Sequence, residues 1–217
     1  MKKAETITDY NQAIQITGGL SKPSKMPCPS YSIPASLCKT GSKLAKVKNS
    51  VCEGCYALKG FYRMPNVQRS LKNRFNKILK PEWVNAMALL IKSSGTAFFR
   101  FHDSGDIQSV KHLKQIAQVA RKTKDVKFWM PSREFNIIKE YKKSHKIPKN
   151  LLIRLSSHMV DQRLKTNQPN SMVVSKNNID NLDKDVYLCP SSKQGNKCLD
   201  CRACWSSKVK TVAYIKH

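Results

Sequence analysis

Acidic residues are scarce in this sequence: 14 Asp and Glu stand against 40 Lys and Arg, which gives a net charge of +26. So large an excess is more than solubility requires, and it favours a polyanionic partner, above all nucleic acid. A lysine-rich composition can also reflect genome bias, and the charge would then form only a solvated surface. The sequence therefore predicts a nucleic-acid-binding protein, with the unpartnered surface as the alternative.

Long apolar segments are missing as well. No run approaches the roughly 20 residues that a membrane-spanning helix needs, so no membrane partner is expected. Residues 1–20 lack the apolar core of a signal peptide, which predicts a cytoplasmic protein. Phosphate loops, serine triads, zinc-protease motifs and dinucleotide fingerprints are absent too, so the commonest enzyme motifs assign no activity.

Cysteine is absent from residues 56–188, yet eight cysteines lie on the two sides of that stretch. Disulfides are rare in the cytoplasm, so metal ligation is the preferred interpretation. The predicted metal ligands are Cys28, Cys38, Cys52 and Cys55 at the front, and Cys189, Cys198, Cys201 and Cys204 in the tail.

The spacing of the last four cysteines indicates the metal. Cys198, Cys201 and Cys204 follow one another with two-residue gaps, and the remote Cys189 precedes Pro190. This spacing resembles the ferredoxin pattern, in which one short loop supplies three ligands of a [4Fe–4S] cluster and a distant Cys-Pro supplies another. Four thiolates on one zinc ion are the alternative.

Strands and helices alternate through the middle of the chain. Short strands are predicted at residues 97–102, 126–130, 151–155 and 171–174. Helices are predicted over about 109–122 and 133–144. This alternation predicts an α/β fold with a parallel sheet. Too few units are present for a full barrel, so we expect a partial parallel (β/α) barrel, with a small doubly wound sheet as the alternative.

The predicted domain spans residues 1–188 and includes a cysteine-rich loop at residues 28–55, whose length suggests a functional role. Residues 189–217 are too polar to build a core of their own. We expect them to form a metal-binding extension packed on the same domain. Ahead of the loop, residues 12–20 are predicted to add a short strand or sheet edge.

The strand at 97–102 ends in a polar motif that runs from His102 to Asp106, just before a helix. In parallel α/β folds, this edge of the sheet carries ligands and catalytic groups. His102 is therefore a candidate general acid or base, and Asp106 a candidate to orient it. Ser104 is a candidate cofactor contact. The alternative is a helix cap, in which Ser104 or Asp106 accepts from free N–H groups.

Two arginines stand within predicted strands, which is unusual because central parallel strands are normally buried on both faces. Side chains alternate along a strand, so Arg100 should share a face with His102, and Arg154 with His158. We expect Arg100, Arg154 and His158 to contact an anionic cofactor in a pocket that His102 and Asp106 also line. Pairing of each arginine with a nearby aspartate is the alternative.

A basic helix follows the cysteine loop. Pro65 suits its first turn, and apolar residues recur after it at helical spacing. The cations predicted to contact a phosphate backbone are Arg69, Lys72, Arg74, Lys77 and Lys80. In so basic a protein, an ordinary surface helix is the alternative.

Several short motifs occur along the chain in a fixed order. They are Cys52-Glu53-Gly54-Cys55-Tyr56-Ala57, His102-x-Ser104-Gly105-Asp106, Val174-Ser175-Lys176, and Cys189-Pro190 with Cys198-x2-Cys201-x2-Cys204-Trp205. Together they resemble the phage gene product 88 family over about residues 20–206. The resemblance implies a phage or mobile-element protein, which would act in the host cell cytoplasm.

A cysteine loop ending in Cys-x2-Cys-Tyr, ahead of a run of β/α units, is similar to radical S-adenosylmethionine enzymes. That resemblance implies a [4Fe–4S] cluster on three cysteines, whose free iron binds S-adenosylmethionine. Cys52 and Cys55 would be two ligands, and Cys38 or Cys28 the third. The gap between Cys38 and Cys52 departs from the usual Cys-x3-Cys spacing. A cluster held by all four cysteines would have no open iron and would be structural or redox-active.

Two functions are therefore carried forward. The first is an iron–sulfur enzyme of the radical type that acts on nucleic acid, with one or two [4Fe–4S] clusters. The second is a non-catalytic phage protein that binds nucleic acid and whose fold is stabilised by zinc or by structural iron–sulfur clusters. Three cysteines at the front site favour the enzyme, and four favour the binding protein.

Overall fold

The protein is built around one parallel sheet, and the computed structural model describes residues 7–216. Its strands are β1 Ser30–Tyr31, β2 Phe98–Phe101, β3 Lys127–Ser132, β4 Leu151–Ser156, β5 Asn170–Val174, β6 Val186–Leu188 and β7 Thr211–Ile215. Its α-helices are α1 Tyr10–Thr17, α2 Lys39–Leu44, α3 Pro65–Phe75, α4 Trp83–Ser93, α5 Val110–Lys122 and α6 Phe135–Ser144. The strand order is β1-β2-β3-β4-β5-β7-β6, and all neighbours are parallel.

The predicted α/β fold with a parallel sheet is confirmed, and the four predicted strands correspond to β2, β3, β4 and β5. The sheet has β1 and β6 at its two edges. The partial barrel remains a prediction. Residues 12–20 were expected to add a strand, but Tyr10–Thr17 form α1, whose first turn is capped by the side chain of Asp9. No α-helix among the described residues is long and apolar enough to cross a membrane.

One face of the sheet packs against helices. Phe99, Phe101 and Phe128 are buried on this face, and they join a core with Trp83 of α4 and Leu113 of α5. Alternation along the strands sends Phe98, Arg100 and Trp129 to the opposite face. The apolar surface buried between sheet and helices is the main stabilising term of the fold.

The opposite face of the sheet is covered by the cysteine-rich tail. Trp205 packs on Trp129 with ring centroids 5.1 Å apart, and its indole N–H donates to the carbonyl of Phe99 at 2.9 Å. Cys28 and Cys204 are buried in the same small core. Residues beyond Cys189 also supply β7, which lies between β5 and β6 within the sheet.

The cysteine loop at residues 28–55 crosses the carboxyl ends of the strands. Its backbone bonds to the segment after β2 through Ile33 N–H and the Ser104 carbonyl, at 3.2 Å. Farther along, Val51 N–H donates to the carbonyl of His158 after β4, at 2.9 Å. The loop therefore lies over the sheet edge at which parallel α/β folds carry their sites.

Candidate functional site

A cavity of about 1560 Å³ lies between the cysteine loop, the tail and the carboxyl ends of the strands. Small-molecule pockets commonly measure about 300–1,000 Å³, so this one has room for more than a single small ligand. The strand ends contribute residues 102–106, Arg133 and Ser156 to its wall. Six cysteines also line it: Cys38, Cys52, Cys55, Cys189, Cys198 and Cys204.

Three of these cysteines form a set that we call the loop trio, namely Cys38, Cys52 and Cys55. Cys38 lies within electrostatic range of both others. Gly41 keeps the space between two of them open. A Cβ at this position would lie 3.6 Å from the Sγ atoms of Cys38 and Cys52 and only 2.9 Å from the Cβ of Cys38.

Burial raises the pKa of Cys38 and also that of Cys52, although Arg133 opposes the shift at Cys52. Both side chains are therefore thiols at neutral pH in the ligand-free protein. A metal would have to displace their protons, because the thiolate is the ligand form of cysteine.

The segment that carries the loop trio is anchored to the strand ends. The buried carboxylate of Glu134 accepts from both the N–H and the hydroxyl of Thr40, at 2.7 and 2.8 Å. An antiparallel bridge joins Ser50 to Met159. These contacts fix Cys38 and Cys52 from two sides of the cavity.

The other five cysteines form a second set, which we call the tail set: Cys28, Cys189, Cys198, Cys201 and Cys204. Cys28 was predicted with the front cysteines, but it packs with Cys189, Cys198 and Cys204 on the tail side of the sheet. Burial raises the pKa of Cys28 to about 12, partly opposed by Arg100, and raises that of Cys204 to about 11. The structure thus divides the eight cysteines into three and five.

Tyrosine hydroxyls contact two thiols of the tail set. Tyr214 Oη lies 3.1 Å from the Sγ of Cys204, and Tyr187 Oη lies 3.4 Å from the Sγ of Cys201. The N–H of Cys198 donates to the carbonyl of Lys25 at 2.9 Å, which joins the tail to the segment that carries Cys28.

No group of three or more His, Cys, Asp or Glu side chains in residues 7–216 is arranged so that it could hold a single metal ion. The cysteines are free thiols rather than disulfides. In an iron–sulfur cluster the thiolates bind different irons, so they surround a volume rather than meet at one point. Zinc, in contrast, needs four donors within about 2.3 Å of one centre.

Arg100 lines the cavity on the side of the tail set, within electrostatic range of Cys28, Cys198 and Cys204. Its guanidinium stacks on the ring of Trp129 at 4.3 Å and donates to the carbonyl of His102 at 3.4 Å. Its buried Nε has no hydrogen-bond partner among the described residues. Burial alone would lower the pKa of Arg100, but Tyr56 and Asp103 outweigh that effect and the pKa is raised.

Asp103 is the carboxylate that faces Arg100 across the cavity. It accepts from the hydroxyls of Ser30 and Tyr62, both at 2.7 Å, and from the hydroxyl of Ser32. Burial would raise its pKa, but Arg100 and these hydroxyls together hold the pKa below its usual value. Asp103 is therefore an ionised carboxylate at neutral pH.

His102 borders the cavity with an unusual backbone. Its φ is +62°, and its ring lies 5.5 Å from the ring of His112 on α5. The predicted shared face of Arg100 and His102 is therefore wrong, because the left-handed residue ends the strand alternation at Phe101. Both ring nitrogens of His102 lack a partner among the described residues, and burial holds its pKa well below the usual value.

Asp106 is buried beside the loop trio. It accepts from the N–H groups of Ile107 and Arg133 at 2.7 and 2.8 Å, and so ties the end of β2 to the end of β3. Burial raises the pKa of Asp106 to about 6, against the effect of those N–H groups. Ser109 rather than Ser104 or Asp106 caps α5, but Asp106 does accept from backbone N–H groups as the alternative expects.

Ser104 also lines the cavity, and its hydroxyl donates to the carbonyl of Ile33 at 3.0 Å. His158 does not line the cavity. Its ring stacks on Phe135 at 4.8 Å, and its Nε2 lies 3.4 Å from the carbonyl of Arg133. We therefore find Arg100, His102, Ser104 and Asp106 around one space, without His158.

Arg154 lies on the tail side of the sheet, as its position in the strand predicts, but the tail covers it completely. Its guanidinium donates to backbone carbonyls of Asn170, Ala203, Cys204, Ser206, Val209 and Lys210, at 2.8–3.1 Å. No N–H group is left for a cofactor, so the predicted cofactor contact of Arg154 is replaced by a structural one. No ion pair joins Arg154 to an aspartate among the described residues.

The basic stripe is divided by the structure. Arg69 and Lys72 are exposed on α3, whereas the helix ends at Phe75, before Lys77 and Lys80. Arg74 is buried, with its Nε donating to the carbonyl of Gly19 at 3.0 Å. Arg74 therefore does not present its charge to a surface ligand as predicted.

Sequence reasoning missed several residues around the cavity. It treats a nearby aspartate only as a possible partner of Arg100, and it does not single out Tyr62, Arg133 and Glu134. Arg133 and Glu134 directly follow β3, so the rule that found His102 at the end of β2 applies to them equally. Tyr62 carries no signal in the sequence, because its role depends on the path of the loop back to Asp103.

Comparison with known proteins places the chain in a family. No curated protein and no solved structure matches it significantly. A family model described as Gene product 88 matches residues 2–207, which includes both cysteine sets and all strands except β7. The match spans nearly the whole chain, and the protein therefore belongs to the gene product 88 family.

Proposed function

We propose that this protein is an iron–sulfur enzyme that acts on nucleic acid, with a [4Fe–4S] cluster on the loop trio and a second cluster on the tail set. The observation that carries the proposal is the division of the cysteines. Cys28 packs with the tail set, so Cys38, Cys52 and Cys55 form a group of three that does not include Cys28 as a fourth ligand. A cluster on three cysteines keeps one iron open to a ligand in the cavity.

The residues present fit such a group. Gly41 leaves the gap between Cys38 and Cys52 open, and the cavity is large enough for a cluster together with a cofactor. Arg133 and Arg100 supply positive charge beside the two cysteine sets. Such charge offsets the negative charge of thiolate-bound clusters, which would otherwise be costly to bury.

The proposed cofactor at the open iron is S-adenosylmethionine, which, when bound, would supply the chemistry of radical S-adenosylmethionine enzymes. Arg100 and Ser104 are its proposed contacts within this chain, because both line the cavity that the loop trio also lines. His102 and Asp106 are the proposed catalytic groups. His102 offers an unpartnered neutral imidazole, and Asp106 has a pKa of about 6, close to the range in which general acids and bases work.

The proposed setting is the partial (β/α) barrel, with the cysteine sets on its concave side. The proposed location is the cytoplasm of a phage-infected host. Nucleic acid is the proposed macromolecular partner, supported by the net charge of +26.

The second candidate is a non-catalytic nucleic-acid-binding protein with zinc or structural clusters. It is favoured by Asp106, both of whose carboxylate oxygens already accept backbone N–H groups. A carboxylate whose two oxygens both accept backbone N–H groups can have a purely structural role, with no part in catalysis. Ligand counting separates the candidates, since a cluster that also requires Cys28 at the loop trio would have no open iron.

Anaerobic purification followed by iron, sulfide and zinc analysis tests the proposal. We expect brown protein with about eight iron atoms per chain. A triple alanine variant of the loop trio should lose about half of the iron, and Cys28→Ala should leave the loop-trio cluster intact. S-adenosylmethionine should alter the electron paramagnetic resonance spectrum of the reduced wild type but not that of the triple variant.

Two results would contradict the enzyme. A colourless protein with about two zinc ions per chain would replace the clusters by zinc sites. A loop-trio cluster that is lost in Cys28→Ala, and that ignores S-adenosylmethionine, would support the structural or redox alternative.

A further inference from the structure

The mouth of the cavity carries a prominent exposed aromatic side chain. Phe61 is 79% exposed, and it lies on a short helical turn, Gly60–Arg63, between the loop trio and α3. Tyr56 and Leu58 are also largely exposed, and all three line the cavity. An exposed apolar patch of this kind commonly marks a binding surface.

Three lysines line the same cavity as this patch. Lys59 lies between Leu58 and Phe61 in the sequence, and Lys22 and Lys25 lie on the segment that leads to Cys28. None of the three takes part in an ion pair, because the ion pairs among the described residues use only Lys143 and Arg163 as cations. Glu53 is the acidic residue on this part of the wall, and it accepts from the N–H of Asn49 at 2.8 Å.

We infer that this mouth binds single-stranded nucleic acid, with a base stacked on Phe61 and the phosphates held by Lys22, Lys25 and Lys59. The inference rests on the proposed action on nucleic acid and names the form of the substrate. Phe61 has no polar atom on its side chain, so it can recognise a base only through its ring face. Every base offers such a face, which makes the contact independent of sequence.

Single-strand preference follows from the shape of the site. In a duplex the base faces are already stacked and cannot reach a protruding ring. In a single strand, or at a flipped nucleotide, a base can leave the stack and enter a pocket. Below the mouth, Arg100, Asp103 and Arg133 offer charged groups that could meet the edge of such a base.

The test is fluorescence anisotropy of the anaerobically purified full chain with a labelled oligo-dT of about 12 nucleotides, within the usual site size of single-strand-binding folds, and with a matched duplex. Phe61→Ala should weaken oligo-dT binding by roughly 5- to 150-fold, the effect of removing one stacked base. Its control is Tyr10→Ala on α1, an exposed aromatic that does not line the cavity. That control should bind like the wild type.

The phosphate contacts have their own control. The triple change of Lys22, Lys25 and Lys59 to Ala should reduce the log–log salt slope by about 2, because each single-strand phosphate contact contributes about 0.7. Lys114→Ala, on the exposed side of α5, should leave the slope unchanged.

Several outcomes would overturn the inference: equal binding by Phe61→Ala and wild type, tighter binding of the duplex, or equal competition by a polyglutamate peptide of the same charge. The last result would identify an acidic protein as the partner. The enzyme proposal fails separately, on metal content and the cofactor response. A chain that lacks iron but whose oligo-dT binding is weakened by Phe61→Ala would leave this inference standing alone.

Discussion

At the level of single residues, Arg154 shows how the tail is held to the sheet. A buried cation usually needs a carboxylate, because an isolated buried charge is costly. Here the carbonyl oxygens of six residues solvate the guanidinium instead. Five of them lie between Ala203 and Lys210, so one side chain of β4 organises the whole segment between the last cysteine and β7.

We predict that Arg154→Met destabilises the protein by at least about 3 kcal/mol, since it leaves several buried carbonyls without donors. Urea unfolding followed by tryptophan fluorescence should report it, because Trp205 packs beside this segment. Arg163→Met is the matched control, since Arg163 forms exposed ion pairs with Asp183 and Asp185, and such pairs contribute little. Equal destabilisation of the two variants would show that the carbonyl contacts of Arg154 are not stabilising.

At the level of elements, the cysteine loop contains a space between two thiols that a single substitution at Gly41 would fill. Gly41 sits in α2 with a negative φ, so an alanine there would ordinarily strengthen the helix by about 1 kcal/mol. Its Cβ would, however, meet the Cβ of Cys38 at 2.9 Å and enter the space between two thiols.

We therefore predict that Gly41→Ala lowers the iron content by up to half while the fold stays stable, measured by iron analysis and thermal unfolding of the same sample. Gly54→Ala is the control in the same loop, because its Cβ would meet only the Nζ of Lys59, at 3.6 Å. If Gly41→Ala keeps full iron content, the space beside Gly41 is not needed for a cluster.

The sequence predicts the helices and strands that have clear apolar periodicity, including β2 to β5 and the starts of α3 and α5. It does not predict β1, β6 and β7, because short strands outside the regular alternation leave little periodic signal. The strand predicted within residues 12–20 is wrong because α1 is short and owes its burial to α4.

The candidate site is predictable in part. The alternation of side chains along a strand correctly puts Arg100 and Arg154 on one face of the sheet, since both lie within regular strands. The same rule fails at His102, because no pattern in the sequence predicts a positive φ at a non-glycine residue. The spacing of the cysteines in the sequence does not predict that Cys28 packs with the tail cysteines either, since this packing depends on the tail returning across the sheet.

At the level of the whole molecule, positive charge is spread over many more residues than the five cations predicted between Arg69 and Lys80. The ion pairs among the described residues are few, so most lysines and arginines face solvent or backbone groups. Such a field attracts polyanions over long range and strengthens as ionic strength falls.

We predict that changing Arg69 and Lys72 to Glu weakens nucleic-acid binding and flattens its salt dependence, by about 0.9 in the log–log slope for each duplex phosphate that the protein no longer neutralises. Anisotropy titrations at several salt concentrations measure this slope, and charge reversal of Lys111 and Lys114 on α5 is the control. An unchanged slope would place the phosphate contacts elsewhere.

Arg74→Ala should instead lower the stability of the protein, because Arg74 is buried against Gly19 and Tyr31.

The position of β7 has a consequence for the order in which the molecule can be completed. β7 is synthesised after all six other strands, yet it lies between β5 and β6 and pairs with both. During translation β5 must therefore keep an unpaired edge while residues 175–210 leave the ribosome, and long-range pairing of this kind is slow. The tail cysteines are emerging at that time, and their final geometry depends on β7. The proposed metal loading of the tail is thus expected to follow synthesis, and a ribosome stalled before residue 211 would hold a chain with an exposed sheet edge and unassembled thiols.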